Sequence, residues 1–277
     1  MTIIQKQIHL LLSSDDSQGA VHKNDLGSSF FVDLETQNIE IPKDALDCVM
    51  YIEDGEYVFS FPNVIVNEND RIFISYNDGV NLQYDMDIQI PAGLYSIHDL
   101  DDTLQILQYN YPNFPEATPL VELVGNSATQ RVLFRYNYDG IRIDLSQSAS
   151  IRNLIGFDSG LYPILGPSIS NTFDTAQSTA NFNNVKFVLF SCTLCDKGFC
   201  HNLKYDYYCG RSLVTVGVGE QQQYLPKHKK KLEANSLIGN TLPRVHVKML
   251  NDKGELLDTN GENFSISVVI EYSIKID

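Results

Sequence analysis

Residues 264–276 read FSISVVIEYSIKI. Phe264, Ile266, Val268, Ile270, Tyr272 and Ile274 fall on alternate positions, so an extended chain turns all six to one face. Working outward, RVHVKML (244–250) carries a similar pattern. Two turn signals, Asp252-Lys253-Gly254 and Asn260-Gly261, separate the two strands. Further upstream, FFVDLE (30–35), RIFISYNDG (71–79), LVELVG (120–125), QRVLFRY (130–136) and RSLVTVGV (211–218) read as strands, as does LKYDYY (203–208). NVKFVLFSC (184–192) is apolar on both faces, with Val185, Phe187 and Leu189 on one and Val188 and Phe190 on the other, which predicts a central strand. ALDCVMYIEDGEYVFSF (45–61) reads as two strands about a turn at Glu53-Asp54-Gly55. Many short strands with long loops predict an all-β fold, a single jelly-roll sandwich.

Composition agrees with that class. The chain has 277 residues, 43% of them hydrophobic, and its aromatics are Tyr 15 and Phe 14 with no Trp, a balance that favours strands over a helix bundle. Lys and Arg number 20 against 35 Asp and Glu, a formal charge of -15. That argues against a general nucleic-acid binder and against long-range attraction to anionic membranes. No apolar run is long enough to predict a membrane-spanning helix. The N-terminal MTIIQKQIHLLLSSDDS lacks the features of a secretion signal, and five Cys, four of them between Cys192 and Cys209, do not form a whole-domain disulfide framework. A reducing compartment is expected.

One stretch breaks the strand pattern. IQIPAGLYSIHDLDDTLQILQYN (88–110) ends a strand at Ile90 and Pro91 and then becomes helical. Ser96 is placed to cap, with Asp99 three residues on, and Ile97, Leu100, Leu104 and Leu107 recur at helical spacing, with the end expected near Gln108. Such a short one-sided helix needs a sheet or another subunit to lie against. NYDG (137–140) is expected to join QRVLFRY to IRIDLS (141–146) as a hairpin. SASIRNLIGF (148–157) predicts a second short helix capped by Ser150, with Ile151, Leu154 and Ile155 inward and Gly156 as its left-handed stop. Residues 159–182 read as a long connection and EQQQYLPKHKKKLEANSLIGN (220–240) as a long polar loop. The expected organisation is an N-terminal arm (1–28), a jelly-roll domain (29–83 and 159–277) and an inserted α+β module (84–158).

The two helical segments also carry a resemblance. DIQIPAGLYSIHDLDDTLQIL, followed by paired strands and SASIRNLIGF, resembles the penton, or minor capsid, proteins of virophages and Polinton-type elements. An IPxGxY stretch is matched by Ile90, Pro91, Gly93 and Tyr95, and an LLGF stretch by Leu154, Ile155, Gly156 and Phe157, with Ile at its second position. The C-terminal VHVKMLNDKGELLDTNGENFSISVVIEYSI resembles the end of those proteins, with Asp252, Gly254, Gly261 and Glu262 in place. The resemblance covers about residues 84–158 and 183–275, in the same order. It implies a jelly-roll subunit that forms homopentamers at the vertices of an icosahedral virion, surrounded by a major capsid protein, with an inserted domain projecting outward. It also implies a host receptor as a further candidate partner, assembly in a host intracellular compartment, and no cofactor. On this resemblance the helix helps to build the insertion, either by covering its own sheet or by meeting a fivefold mate.

Three clusters invite chemistry. Cys192, Cys195, Cys200, His201 and Cys209 could supply four zinc ligands, could pair as a disulfide, or could be free structural thiols. Cys192 falls in a strand pattern, which turns residues i and i+3 to opposite faces and disfavours a zinc knuckle; no essential metal is expected. Lys227–Lys231 lie in PKHKKK, the one basic run of an acidic chain, and could touch nucleic acid, an acidic neighbour or only solvent. NENDR (67–71) and NDKGE (251–255) resemble calcium loops loosely and read more simply as polar turns. HExxH, GxSxG, P-loop and GxGxxG patterns are absent, so no catalytic, cofactor-binding or metal residue is assigned and an enzyme is not expected. The alternative function is a carbohydrate- or receptor-binding β-sandwich.

Overall fold

The computed structural model describes residues 2–276 apart from 16–20, 35–36, 38, 78, 80–82, 113, 115–116, 184, 197–206 and 243. The chain divides into two compact units, Met1–Phe61 with Val185–Asp277, and Pro62–Asn184. In chain order the first unit supplies strands β1 (Thr2–Ser13), β2 (Val21–Lys23), β3 (Ser29–Asp33) and β4 (Asp47–Val58). The second holds β5 (Arg71–Asn77), β6 (Gln83–Gln89), helix α1 (Ile97–Tyr109), β7 (Val121–Asn126), β8 (Arg131–Tyr136), β9 (Ile141–Asp144), the single turn α2 (Arg152–Ile155), β10 (Leu161–Tyr162) and β11 (Thr172–Thr175). The first unit resumes with β12 (Phe187–Cys192), β13 (Tyr208–Leu213), β14 (Gln221–Tyr224), β15 (Leu232–Glu233), β16 (Arg244–Leu250) and β17 (Phe264–Ile276).

The first unit is a β-sandwich. One sheet runs β1-β17-β4-β14, with β15 also paired to β4, and the other runs β13-β12-β16-β3-β2. They share one core: Met50, Ile52 and Tyr57 of β4 and Ile266, Val268 and Ile270 of β17 cluster with Phe30, Val188, Phe190 and Val247 of the other sheet. Phe30 meets Phe264 edge-on at 5.1 Å, and Tyr57 meets Phe190 at 6.1 Å. β17 follows its sequence pattern, with Phe264, Ile266, Val268, Ile270 and Tyr272 all buried.

β4 corrects the reading of two strands about a turn. It is one continuous strand with a β-bulge, because β17 pairs Ser267 with Asp54 and Val268 with Ile52, leaving Glu53 over. The extra residue shifts the side-chain phase. Cys48, Met50 and Ile52 point inward before it, Gly55 and Tyr57 after it. A broken alternation over an Asp-Gly pair imitates a turn in sequence.

The expected arm at 1–28 is also corrected. β1 pairs residue for residue with β17 from Thr2↔Ile276 to Ser13↔Ser265. It is an edge strand that buries only Leu10 and Leu12 fully, so its polar character suits an edge. The polar loop at 220–240 contains two further strands. β14 pairs Gln221–Tyr224 with the end of β4, and β15 pairs Leu232 with Met50.

The second unit is wider than the expected module of 84–158. Its sheets run β10-β9-β5-β6 and β11-β8-β7, and one core joins them. β5 belongs here because it lies between β9 and β6, and Tyr162 and Ala176 of the expected connection are in the same core. The expected hairpin at 137–140 does not form: β8 pairs with β7 and β11, β9 with β5 and β10, so the chain crosses between sheets there. α2 differs in its cap. Ile151 takes that position without a side-chain cap, while Ser150 Oγ accepts from the Arg152 N–H at 3.4 Å.

α1 forms where its capping signal places it. Ser96 Oγ accepts from the Asp99 N–H at 3.2 Å and Asp99 Oδ2 accepts from the Ser96 N–H at 3.1 Å, a complete capping box. The Ser96 hydroxyl, which also donates to Asp99 Oδ2 at 2.6 Å, and the Ser96 N–H hold the Asp99 carboxyl below the ordinary carboxylate range. Leu100 and Leu104 are fully buried in the unit's own core, so the helix covers its own sheet. It also closes that sheet's edge. β7 is the last strand of its sheet, and two helix side chains take its free main-chain groups. Asp101 Oδ1 accepts from Leu123 N–H at 2.7 Å. Gln108 Oε1 accepts from Val121 N–H at 3.1 Å, and its Nε2 donates to Val121 O at 2.8 Å. The helix therefore runs antiparallel to β7 and stands in for a missing strand.

Candidate functional surfaces

The residues that carry the family resemblance perform structural work. Ile90 is buried, and Gly93 exchanges main-chain hydrogen bonds with Val64, N–H to O at 3.0 and 3.2 Å. Tyr95 folds back so that its hydroxyl donates to Pro91 O at 2.9 Å, and its ring comes within 3.1 Å of where a Cβ on Gly93 would stand. Asn63, which sequence reading passed over, organises this turn. Its Nδ2 donates to Tyr95 O at 2.8 Å and to Phe182 O at 3.0 Å, and its Oδ1 accepts from Tyr95 N–H at 3.0 Å. Gly156 has φ +82°, and a Cβ there would stand 2.4 Å from Ser178 O, so both conformation and space require glycine.

The cysteine cluster is reached only in part, since Cys200 and His201 lie outside the described residues. Cys192 ends β12 and a turn follows, so Cys192 and Cys195 do not lie in one extended strand as expected. Each of two thiols donates to a carbonyl: Cys195 to Cys192 O and Cys209 to Phe190 O, both at 3.2 Å. Burial raises the Cys192 thiol to about 12 and the Cys195 and Cys48 thiols to about 11, and pushes Cys209 well above its ordinary value. Burial and hydrogen bonding of this kind are the properties of core thiols. Among the described residues no three His, Cys, Asp or Glu form a group that could hold a metal. At pH 8 the thiolate fraction of these groups is about 100-fold or more below that of an ordinary thiol. Cys48, Cys192, Cys195 and Cys209 are therefore expected to resist alkylation in the native state by at least that factor and to label fully in urea, with peptide mass spectrometry locating the label. Rapid native labelling of any of the four, or one zinc per chain lost together with folding, would contradict this reading.

The basic run finds its acidic neighbour within the same unit. Lys229 Nζ lies 2.7 Å from Glu53 Oε1 and 5.0 Å over the Tyr51 ring, and Lys231 pairs with Glu271. Glu53 and Glu271 are held below the carboxylate range chiefly by hydrogen bonds from these lysines. The run is thus a strap across the outer face of the β1-β17-β4 sheet. The two calcium-like segments are turns held by their own side chains. Asn251 Oδ1 accepts from Lys253 N–H and Glu255 N–H, each at 2.9 Å, while Asn69 Oδ1 accepts from Ile65 N–H and Asp70 Oδ2 from Gln89 Nε2.

Two surface features remain. In the first unit, β3, β12, β13 and β16 turn Phe31, Phe187, Arg211, Arg244, His246 and Lys248 away from the core. Burial and the adjacent Arg244 and Lys248 lower His246 to about 4, so it is neutral at ordinary pH. In the second unit, Asn126, Gln130, Arg131, Asn181 and Phe182 surround a concavity of about 450 Å³ floored by Ile97, Val132 and Ala180. Among the described residues no helix is long and apolar enough to cross a membrane.

No family model matches the chain, and no curated protein matches its sequence. Among solved structures, the crystal structure of SeMet-labeled mavirus penton protein aligns over 96% of this chain and 99% of that one, with 6% sequence identity and a TM-score of 0.48.

Proposed function

We propose that this chain is a vertex subunit of an icosahedral capsid, of the penton type found in virophages and Polinton-type elements, and that it has no enzymatic role. The observation that carries the reading is strand order. Taking β1, β3, β4, β12, β13, β14, β16 and β17 as eight principal strands, the sheets are ordered 1-8-3-6 and 2-7-4-5. That order supports a single jelly roll of two interlocked Greek keys. On this reading residues 62–184 are an insertion between the third and fourth strands, and the sequence resemblance spans both parts. Five copies form a closed ring, the major capsid protein surrounds it, and assembly takes place in a host compartment. Native mass spectrometry and negative-stain imaging of the purified chain test this: fivefold rings are expected, and persistent monomers at high concentration would overturn it.

A carbohydrate- or receptor-binding role is favoured by one feature, the concavity of the second unit. Amide side chains, Arg131 and the Phe182 ring are groups that pair with sugar hydroxyls and stack on sugar faces. Specific glycan retention without ring formation would select this second reading.

A further inference from the structure

One loop of the second unit concentrates apolar side chains that the fold leaves uncovered. Leu165 is 101% exposed, Ile164 72% and Ile169 68%, the three highest values among the large hydrophobic side chains of the described residues. Leu161 and Phe173 are exposed beside them. Exposed apolar residues scattered singly are ordinary, whereas these five fall within one stretch, 161–173. Residues 159–173, SGLYPILGPSISNTF, contain no Asp, Glu, Lys or Arg, in a chain of which 20% is charged. The loop is held at its base. Ser168 is buried, and its Oγ donates to Tyr138 O and accepts from Ile141 N–H, each at 2.8 Å. Tyr162, buried on the other side of the tip, meets the Phe157 ring edge-on at 5.0 Å. Asp139, a carboxylate at that base, accepts from Ser170 N–H at 2.6 Å. Between these anchors Pro163-Ile164-Leu165-Gly166-Pro167 projects, and a Cβ on Gly166 would meet nothing within 4 Å.

We propose that this tip inserts into the boundary between headgroups and acyl chains of an uncharged lipid bilayer. Its shape and size select that partner. A convex apolar tip enters a protein only where the protein offers a matching hollow, and a specific protein interface buries about 1,200 Å² or more in all, beyond what so short a tip supplies. A bilayer surface is fluid and needs no such hollow. Lipid penalises main-chain donors that lose water, and Pro163 and Pro167 have no N–H to desolvate. The absence of charge over 159–173 removes the largest cost of insertion, while the chain's -15 charge directs it to zwitterionic rather than anionic lipid. A few aliphatic side chains hold one chain at a membrane weakly and reversibly, as a single acyl chain does, and copies held together bind more tightly. The inference concerns the second unit by itself and stands independently of the vertex reading.

The chain contains no Trp, so Leu165→Trp in the full chain gives a fluorescent reporter without background. Leu165 is fully exposed, so the substitution removes no packing, and circular dichroism checks the fold. Without lipid, emission is expected at the wavelength of water-exposed indole. An excess of phosphatidylcholine vesicles is expected to shift it to the blue, and the same lipid brominated along its acyl chains to quench it. Leu225→Trp, at an exposed apolar position of the first unit, is expected to show neither effect. In vesicle flotation, Ile164→Asp with Leu165→Asp is expected to lower the bound fraction at least tenfold relative to wild type. Leu165→Trp emission that ignores lipid would overturn the proposal, as would an equal shift from Leu225→Trp or vesicle binding that survives the two Asp substitutions. A blue shift that grows with protein concentration in the absence of lipid would assign the tip to a hollow of a second copy. Binding confined to phosphatidylserine vesicles would make charge responsible rather than the tip. In either case the proposal fails.

Discussion

Gln108→Ala is expected to destabilise the second unit by about 3–5 kcal/mol. Both ends of the interaction are sealed from water: Gln108 and Val121 are fully buried. Truncation removes three hydrogen bonds, one of them to Leu104 O within the helix, and leaves the Val121 N–H and C=O with no partner on the open side of β7. Each stranded buried group costs about 1–3 kcal/mol, and the vacated amide leaves a cavity as well. Gln108→Glu separates these contributions. It refills the volume but cannot, when ionised, donate to Val121 O. Its carboxyl pKa rises on burial, so stability is greatest below the unfolded value of about 4.3 and declines as pH rises toward the raised folded value. Urea melts of the two variants at pH 4 and pH 7 check this; indistinguishable midpoints for wild type and Gln108→Ala would refute it.

Asn63→Ala is expected to cost about 2–4 kcal/mol. Three main-chain groups lose their partner: Tyr95 N–H, Tyr95 C=O and Phe182 C=O. They are only partly buried, so water replaces part of what is lost and the cost per group falls toward the lower end of the range for unsatisfied groups. The loss should be local. Hydrogen exchange at Tyr95 and the first turn of α1 is expected to accelerate more than exchange within β17. Uniform acceleration across both units would mean that Asn63 acts through global stability alone.

How much was legible in sequence follows from what kind of interaction built each element. β17 and α1 are fixed by their own periodicity and caps, and both stand where the pattern puts them. β14 and β15 were hidden because their partner, β4, is remote in sequence and their residues, Gln221–Tyr224 and Leu232–Glu233, carry little β signal. The hairpin expected at 137–140 had correct turn chemistry, yet β8 and β9 each found partners elsewhere, a choice only the assembled sheets make. Gln108 did leave a trace. It continues the Leu100, Leu104 ladder at the same spacing, so a polar residue on the apolar face marked a buried amide in need of partners. Asn63 left none, because the groups it joins are 32 and 119 positions away along the chain. The basic strap was visible as charge, but its acidic counterparts Glu53 and Glu271 belong to strands that only the fold brings beneath it.

The hydrogen bond from Asn63 to Phe182 fastens the second residue of the second unit to one of its last. Loop-closure entropy depends on how far apart the ends of an excursion are free to wander, and only weakly, as a logarithm, on its length. A segment fastened at its base therefore closes with about the entropy of a tight turn, although it contains a whole second core. Lengthening or shortening the chain beyond that fastening is expected to change the closure cost by only about 0.6 kcal/mol per doubling, provided the two ends stay equally close together.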